Sequence, residues 1–120
     1  MISTLGAWLK TNSALSDLLT GVSDEEGAYL IPGGGEYATL LDGTTRLTQR
    51  FTIGIRGRSD YGASDLNTAL ADIMEAILAW LSGATPPAGL RFEHVSVPPR
   101  FITNGETLAC EAEVEISERY

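Results

Sequence analysis

Residues 47–58, LTQRFTIGIRGR, decide the fold class. Leu47, Gln49, Phe51, Ile53 and Ile55 fall on one side of an extended chain, and Thr48, Arg50, Thr52, Gly54 and Arg56 on the other. That period of two is the signature of a strand with one face in a core and the other turned to solvent or to a partner subunit. The closing segment, residues 107–117, repeats the pattern: Leu108, Cys110, Ala112, Val114 and Ile116 alternate with Glu111, Glu113 and Glu115. Like charges at two-residue spacing share one sheet face and repel each other, so that face requires solvent, cations or basic partners.

Outward from these strands, Asp42-Gly43 is a tight turn that favours a hairpin with residues 36–41. Upstream, residues 28–31 form a short strand that ends at Pro32-Gly33-Gly34-Gly35, expected as a flexible tip unable to hold regular pairing. Downstream, Leu66, Ala69, Leu70, Ile73, Ile77, Trp80 and Leu81 make an apolar stripe over residues 63–81, a long helix. Ser64 or Asp60 is placed to cap it, Asp65 suits its positive end, and Pro86-Pro87 bars its continuation. Residues 90–97 are strand-like, with Pro98-Pro99 as an interruption before Phe101 and Ile102. At the start, Ile2, Leu5, Trp8 and Leu9, then Leu15, Leu18 and Leu19, predict one bent helix or two short ones, with Ser13 as a cap and Gly21 as a stop. The order α-β-β-β-α-β-β with hairpin-length links predicts an α+β class: a mostly antiparallel sheet with helices packed on one face, in a single domain over residues 1–120.

Composition narrows the function. Lys plus Arg number 8 against 16 Asp plus Glu, for a net charge of −8. A compact body of that sign repels a polyanion, which argues against gripping DNA through its phosphates and is compatible with letting DNA pass. Cys110 is the sole cysteine, so neither an intramolecular disulfide nor a cysteine-built zinc site is expected, and a reducing cytosol fits. Residues 1–9 carry no basic segment ahead of their apolar residues, and no apolar run reaches membrane-spanning length, so a soluble protein without a leader is expected.

No set of residues fills the several roles that catalysis needs at once. His94 is the sole histidine, flanked by Phe92 and Val95, and Cys110 lies on an apolar strand face where it acts as a small hydrophobe. An enzyme built on Asp60, Glu93 or His94 is therefore the remote option. Gly33, Gly34 and Gly35 are followed by a strand and by no Gly-Lys-Ser/Thr, so they do not cradle a phosphate. Asp24, Glu25 and Glu26 lack the alternation of a calcium loop. No metal, cofactor or catalytic residue is expected. Arg50, Arg56 and Arg58 lie on or just past the polar side of the central strand and are expected either to pair with Glu111, Glu113 or Glu115, across the sheet or on a neighbouring subunit, or to stand on a solvated sheet face. Tyr61 and the segment Gly33, Gly34 and Gly35 are further expected contact elements, and Trp8 and Trp80 belong to the core.

Residues 37–57 (YATLLDGTTRLTQRFTIGIRG), preceded by Trp8-Leu9-Lys10-Thr11 and followed by Ala79-Trp80-Leu81, resemble the minor capsid and tail terminator proteins of long-tailed bacteriophages and prophages. Leu41-Asp42-Gly43 leading through Arg46 into the strand with Phe51 carries the likeness, and residues 97–102 with the closing amphipathic strand extend it over most of the chain. The resemblance implies a tail-terminator-like sheet flanked by helices. Its copies would form a ring, commonly a hexamer, at the head-proximal end of the tail tube, with the major tail tube protein and the head–tail connector as partners. It also implies DNA passing through the lumen without specific binding, no membrane association, and assembly in the bacterial host cytoplasm into the virion. A ring with a negative lumen lets DNA through without sticking. The alternative from another class is a small monomeric module that binds a basic partner on its acidic sheet face.

Overall fold

The computed structural model describes residues 1–21, 26–58, 63–104 and 107–119, and of residues 58, 63, 64 and 104 the backbone only. Helix α1 (Ile2–Leu9) and a single 3-10 turn (Ser13–Leu15) lead into strands β1 (Leu19–Thr20), β2 (Gly27–Thr39) and β3 (Thr45–Arg58). Helix α2 (Ala63–Gly83) follows, and β4 (Leu90–Asn104) and β5 (Thr107–Arg119) close the chain. The strands form one sheet in the order β1-β2-β3-β5-β4, with β1 parallel to β2 and every other pair antiparallel. The class is α+β, as the alternation in β3 and β5 predicts.

The sheet takes this order because α2 carries the chain past β3, and the β4–β5 hairpin then returns β5 into the gap. Phe51 consequently lies opposite Val114, and Ile53 opposite Ala112. These side chains point toward the helices with Leu30, Ile55, Cys110 and Ile116, and all are buried. From α2 they meet Leu70, Met74, Ile77 and Leu81, and from the N-terminal segment Leu5, Leu9, Leu15 and Leu18. Trp8 and Trp80 stack at the margin of this core with their ring centroids 5.1 Å apart. The buried line of α2 runs 70-74-77-81, so Met74 belongs to it, whereas Ala69 and Ile73 of the expected stripe are exposed on its flank. Spacings of four, three and four residues hold one face of a 3.6-residue helix most closely, and Met fills the irregular gap there.

Three local expectations are corrected. The segment Pro32, Gly33, Gly34 and Gly35 is no hairpin tip: β2 runs through it, with a register shift between Pro32 and Gly35. The backbones are close enough there that a Cβ on Gly35 would lie 2.8 Å from the Thr48 carbonyl oxygen, and one on Gly33 would lie 3.1 Å from that of Arg50. Glycine permits that approach, and the bulge absorbs the extra residue. The hairpin turn lies beyond, at Leu40–Thr44, where Gly43 has a φ of +84° and Asp42 accepts from the Thr44 amide at 3.0 Å. Pro98-Pro99 likewise leaves β4 unbroken, at the cost of register shifts, because β4 is an edge strand and a missing N–H there removes no bond from an interior ladder.

At the N-terminus, no second α-helix forms. Asn12, not Ser13, caps the 3-10 turn by accepting the Ala14 amide at 2.9 Å, and Leu19 enters β1 with its side chain exposed. Gly21 has the left-handed φ of +102° but follows a strand instead of a helix. A parallel bridge from Leu19 and Thr20 to Tyr29 and Leu30 offered this segment more backbone bonding than a helix of a few residues would. Among the described residues no helix is long and apolar enough to cross a membrane.

Candidate functional site

The face of the sheet turned away from the helices gathers the polar residues of four strands. In register order, Tyr29 of β2 faces Gly54 of β3, Gly54 faces Glu111 of β5, and Glu111 faces Arg100 of β4. The Tyr29 hydroxyl donates to Glu111 Oε2, Arg100 Nη2 is 3.8 Å from Glu111 Oε1, and the Arg56 guanidinium sits 5.3 Å above the Tyr29 ring. The ring itself lies across Gly54, where a Cβ would come within 2.2 Å of Tyr29 Cζ. Tyr29 is 2% exposed although it points away from the helices. Burial pushes its phenol above the ordinary tyrosine range; the Glu111 carboxylate adds to this, and Arg56 opposes it.

Toward the hairpin, Glu113 accepts the Ser96 hydroxyl at 2.8 Å and lies 3.9 Å from Arg50 Nε. Glu115 lies 3.9 Å from Arg50 Nη1 and 3.4 Å from His94 Nε2. Glu93 accepts Ser117 Oγ–H at 2.6 Å with Arg91 Nε at 3.7 Å. The acidic stripe of β5 is thus interleaved with cations and hydroxyls from both neighbouring strands of the same chain. Cross-strand pairs of opposite charge turn three repelling carboxylates into a satisfied lattice.

Of the expected contact residues, the structure brings Arg50, Arg56, Glu111, Glu113 and Glu115 onto this face. Arg56 is drawn to the Tyr29 ring beside Glu111. Arg58 is at the end of β3 opposite Thr107; its side chain lies outside the described residues, as do Tyr61, Asp60, Asp24 and Glu25. Gly33, Gly34 and Gly35 lie in β2 beside Arg50, whose Nη2 would be 3.2 Å from a Cβ on Gly34. Sequence reasoning missed Tyr29, Ser96 and Arg100. Their roles depend on register across four strands, and the advance signal was Gly54, a residue without a side chain in the middle of the strand.

His94 is 59% exposed on an edge strand with Glu115 beside it. Cys110 is buried, and burial raises its thiol above the ordinary range, with Glu111 and Glu75 adding to the effect. A thiol held protonated in a core is a poor nucleophile. Among the described residues no group of three His, Cys, Asp or Glu side chains converges in a way that would hold a metal ion. Comparison of the chain with protein-family models and with curated proteins returned no match.

Proposed function

We propose that the chain is a structural subunit of a long-tailed bacteriophage or prophage, a tail terminator or minor capsid protein. Its copies close into a ring, hexameric by the resemblance, at the head-proximal end of the tail tube and join it to the head connector. The mechanism is geometric and uses no catalytic residue: the ring covers the growing end of the tube, and its negative charge lets DNA pass without adhesion.

The observation that carries this reading is the free outer edge of β2. β1 pairs with Tyr29 and Leu30, so from Ile31 to Thr39 the main chain of β2 has β3 on one side and, among the described residues, no strand on the other. Residues 32–39 are exposed throughout, Tyr37 is 72% exposed, and Leu41 projects fully at the turn. This arm contributes to a molecule 54 Å long and only 24 Å and 21 Å across. A long bare edge ending in exposed apolar side chains is a hazard for a lone subunit and an asset for one that is completed by a second copy. A heterologous contact of this kind closes a ring when its repeated rotation returns to the first copy.

The alternative of a monomeric module that takes a basic partner on an acidic sheet face is weakened, because Glu111, Glu113 and Glu115 already meet Arg100, Arg50, Ser96, His94 and Tyr29. A partner would have to displace these contacts. Native mass spectrometry and negative-stain electron microscopy over a concentration series, alone and with tail tubes of the same phage, test the proposal. Rings, or density capping one end of the tubes, are the expected result. A monomer that leaves the tubes uncapped overturns it.

A further inference from the structure

We propose that the end of the open face beside the Asp42 turn is a binding site for a small phosphate-class oxyanion, centred on Arg46 and Arg119. The inference is independent of ring formation. Arg46 on β3 and Arg119 on β5 are direct partners in the antiparallel register, so two like charges stand opposite each other on one face. Such a pair is destabilising unless something negative lies between its members.

Elsewhere on this face the chain supplies the counter-charge: Arg50 meets Glu113 and Glu115, Arg100 meets Glu111, and Arg91 meets Glu93. Arg46 differs. No carboxylate among the described residues lies within ion-pair distance of it, and its Nε is buried without a hydrogen-bond partner. A buried guanidinium donor left unsatisfied is costly, and an anion held there removes the cost. Two carboxylates at the margins of the site are already engaged, and Glu36 and Glu115, which line the neighbouring concavity with Arg46, form no ion pair with it. Glu93 holds the Ser117 hydroxyl and Arg91, and Asp42 holds both the Thr44 amide and the Thr44 hydroxyl while feeling the charge of Arg119.

The space fits the chemistry. Arg46, Arg91, Arg119, Ser117, Gly89 and Leu90 line a concavity of about 270 Å³. This is below the roughly 300–1,000 Å³ of sites that take drug-sized ligands and is ample for a compact ion. A guanidinium presents two parallel N–H donors that match the oxygens of a phosphate, and two opposed guanidinium groups together complement its negative charge at neutral pH.

Titration of the full chain with inorganic phosphate and with pyrophosphate at low ionic strength tests this, read by calorimetry and by backbone amide shifts. Saturable binding is expected, with amide shifts concentrated at Arg46, Gly89 and Arg119. Affinity should fall at least tenfold in Arg46→Gln and in Arg119→Gln, each checked for an unchanged circular dichroism spectrum, and should stay unchanged in Arg100→Gln at the far end of the face. A short DNA duplex added in competition separates the two sources of the same chemistry: displacement of pyrophosphate at these residues assigns a polymer phosphate, and its absence assigns a free phosphorylated compound. Lack of saturable binding in the wild-type chain, or equal affinity in Arg46→Gln and the wild type, overturns the site.

Discussion

On the helix side of β3 and β5, Phe51 faces Val114 and neither is exposed to solvent; one residue along each strand, Thr52 faces Glu113 on the open side, amid Ser96 and Arg50. The same two strands therefore obey different physics on their two faces. The covered side is held by removal of apolar surface from water, which is non-directional and depends on volume and packing. The open side is held by paired charges and hydroxyls that depend on register, exchange readily with water and contribute little each. One side is built for stability, and the other is left adaptable.

The largest expected effect lies on the covered side. Phe51→Ala removes a ring from the centre of the sheet and should cost about 3–5 kcal/mol in a urea titration. A loss below about 1 kcal/mol would show that the helices do not close over β3 as described.

Gly54→Ala comes next, on the open side, because the new methyl collides with the Tyr29 ring. A destabilisation of about 1–3 kcal/mol is expected. In a Tyr29→Ala background the same substitution should cost much less, and the difference measures the contact directly. Equal costs in both backgrounds would remove the ring from its place over Gly54.

Tyr29→Phe deletes only the hydroxyl that Glu111 accepts and should cost about 1–2 kcal/mol. Its pH signature is more specific. The folded phenol ionises above the unfolded one, whose pKa is about 10. Below that value the contribution of Tyr29 is intact. As the pH climbs beyond it, the unfolded state releases a proton that the native state retains, and stability falls. Urea midpoints measured at rising alkaline pH should decline more steeply in the wild-type chain than in Tyr29→Phe, and parallel curves would refute the shift.

The smallest effect belongs to Arg50→Ala. Its side chain is 45% exposed and the guanidinium stands 3.9 Å from each of two carboxylates, so less than about 1 kcal/mol is expected, shrinking further as salt is added. A larger, salt-independent loss in thermal melting would mean that the open face is drier than its exposure indicates.

Much of the covered side was legible in the residue pattern. Alternation in residues 47–58 and 107–117 marked the two central strands and their inward residues, and Asp42-Gly43 marked the hairpin. The open side was legible only as a list of charges. That Arg50 would span Glu113 and Glu115, or that Tyr29 would close over Gly54, follows from which residues stand opposite in register, and a one-residue slip would rewrite every pair. Gly33, Gly34, Gly35 and Pro98-Pro99 misled for a related reason. Gly and Pro weaken a strand in isolation, but a close-approaching neighbour and an uncovered edge supply the context in which both are tolerated.

What the chain determines by itself is its α+β class, its inward-facing residues and its negative balance, since each depends on local periodicity or on composition. Tertiary structure alone decided the order β1-β2-β3-β5-β4, the outer edge of β2 that no described strand covers and the register that sets Arg46 opposite Arg119. These depend on contacts between residues up to some seventy positions apart, and such contacts are selected by the burial of the whole sheet against its helices, not by any segment's own preference.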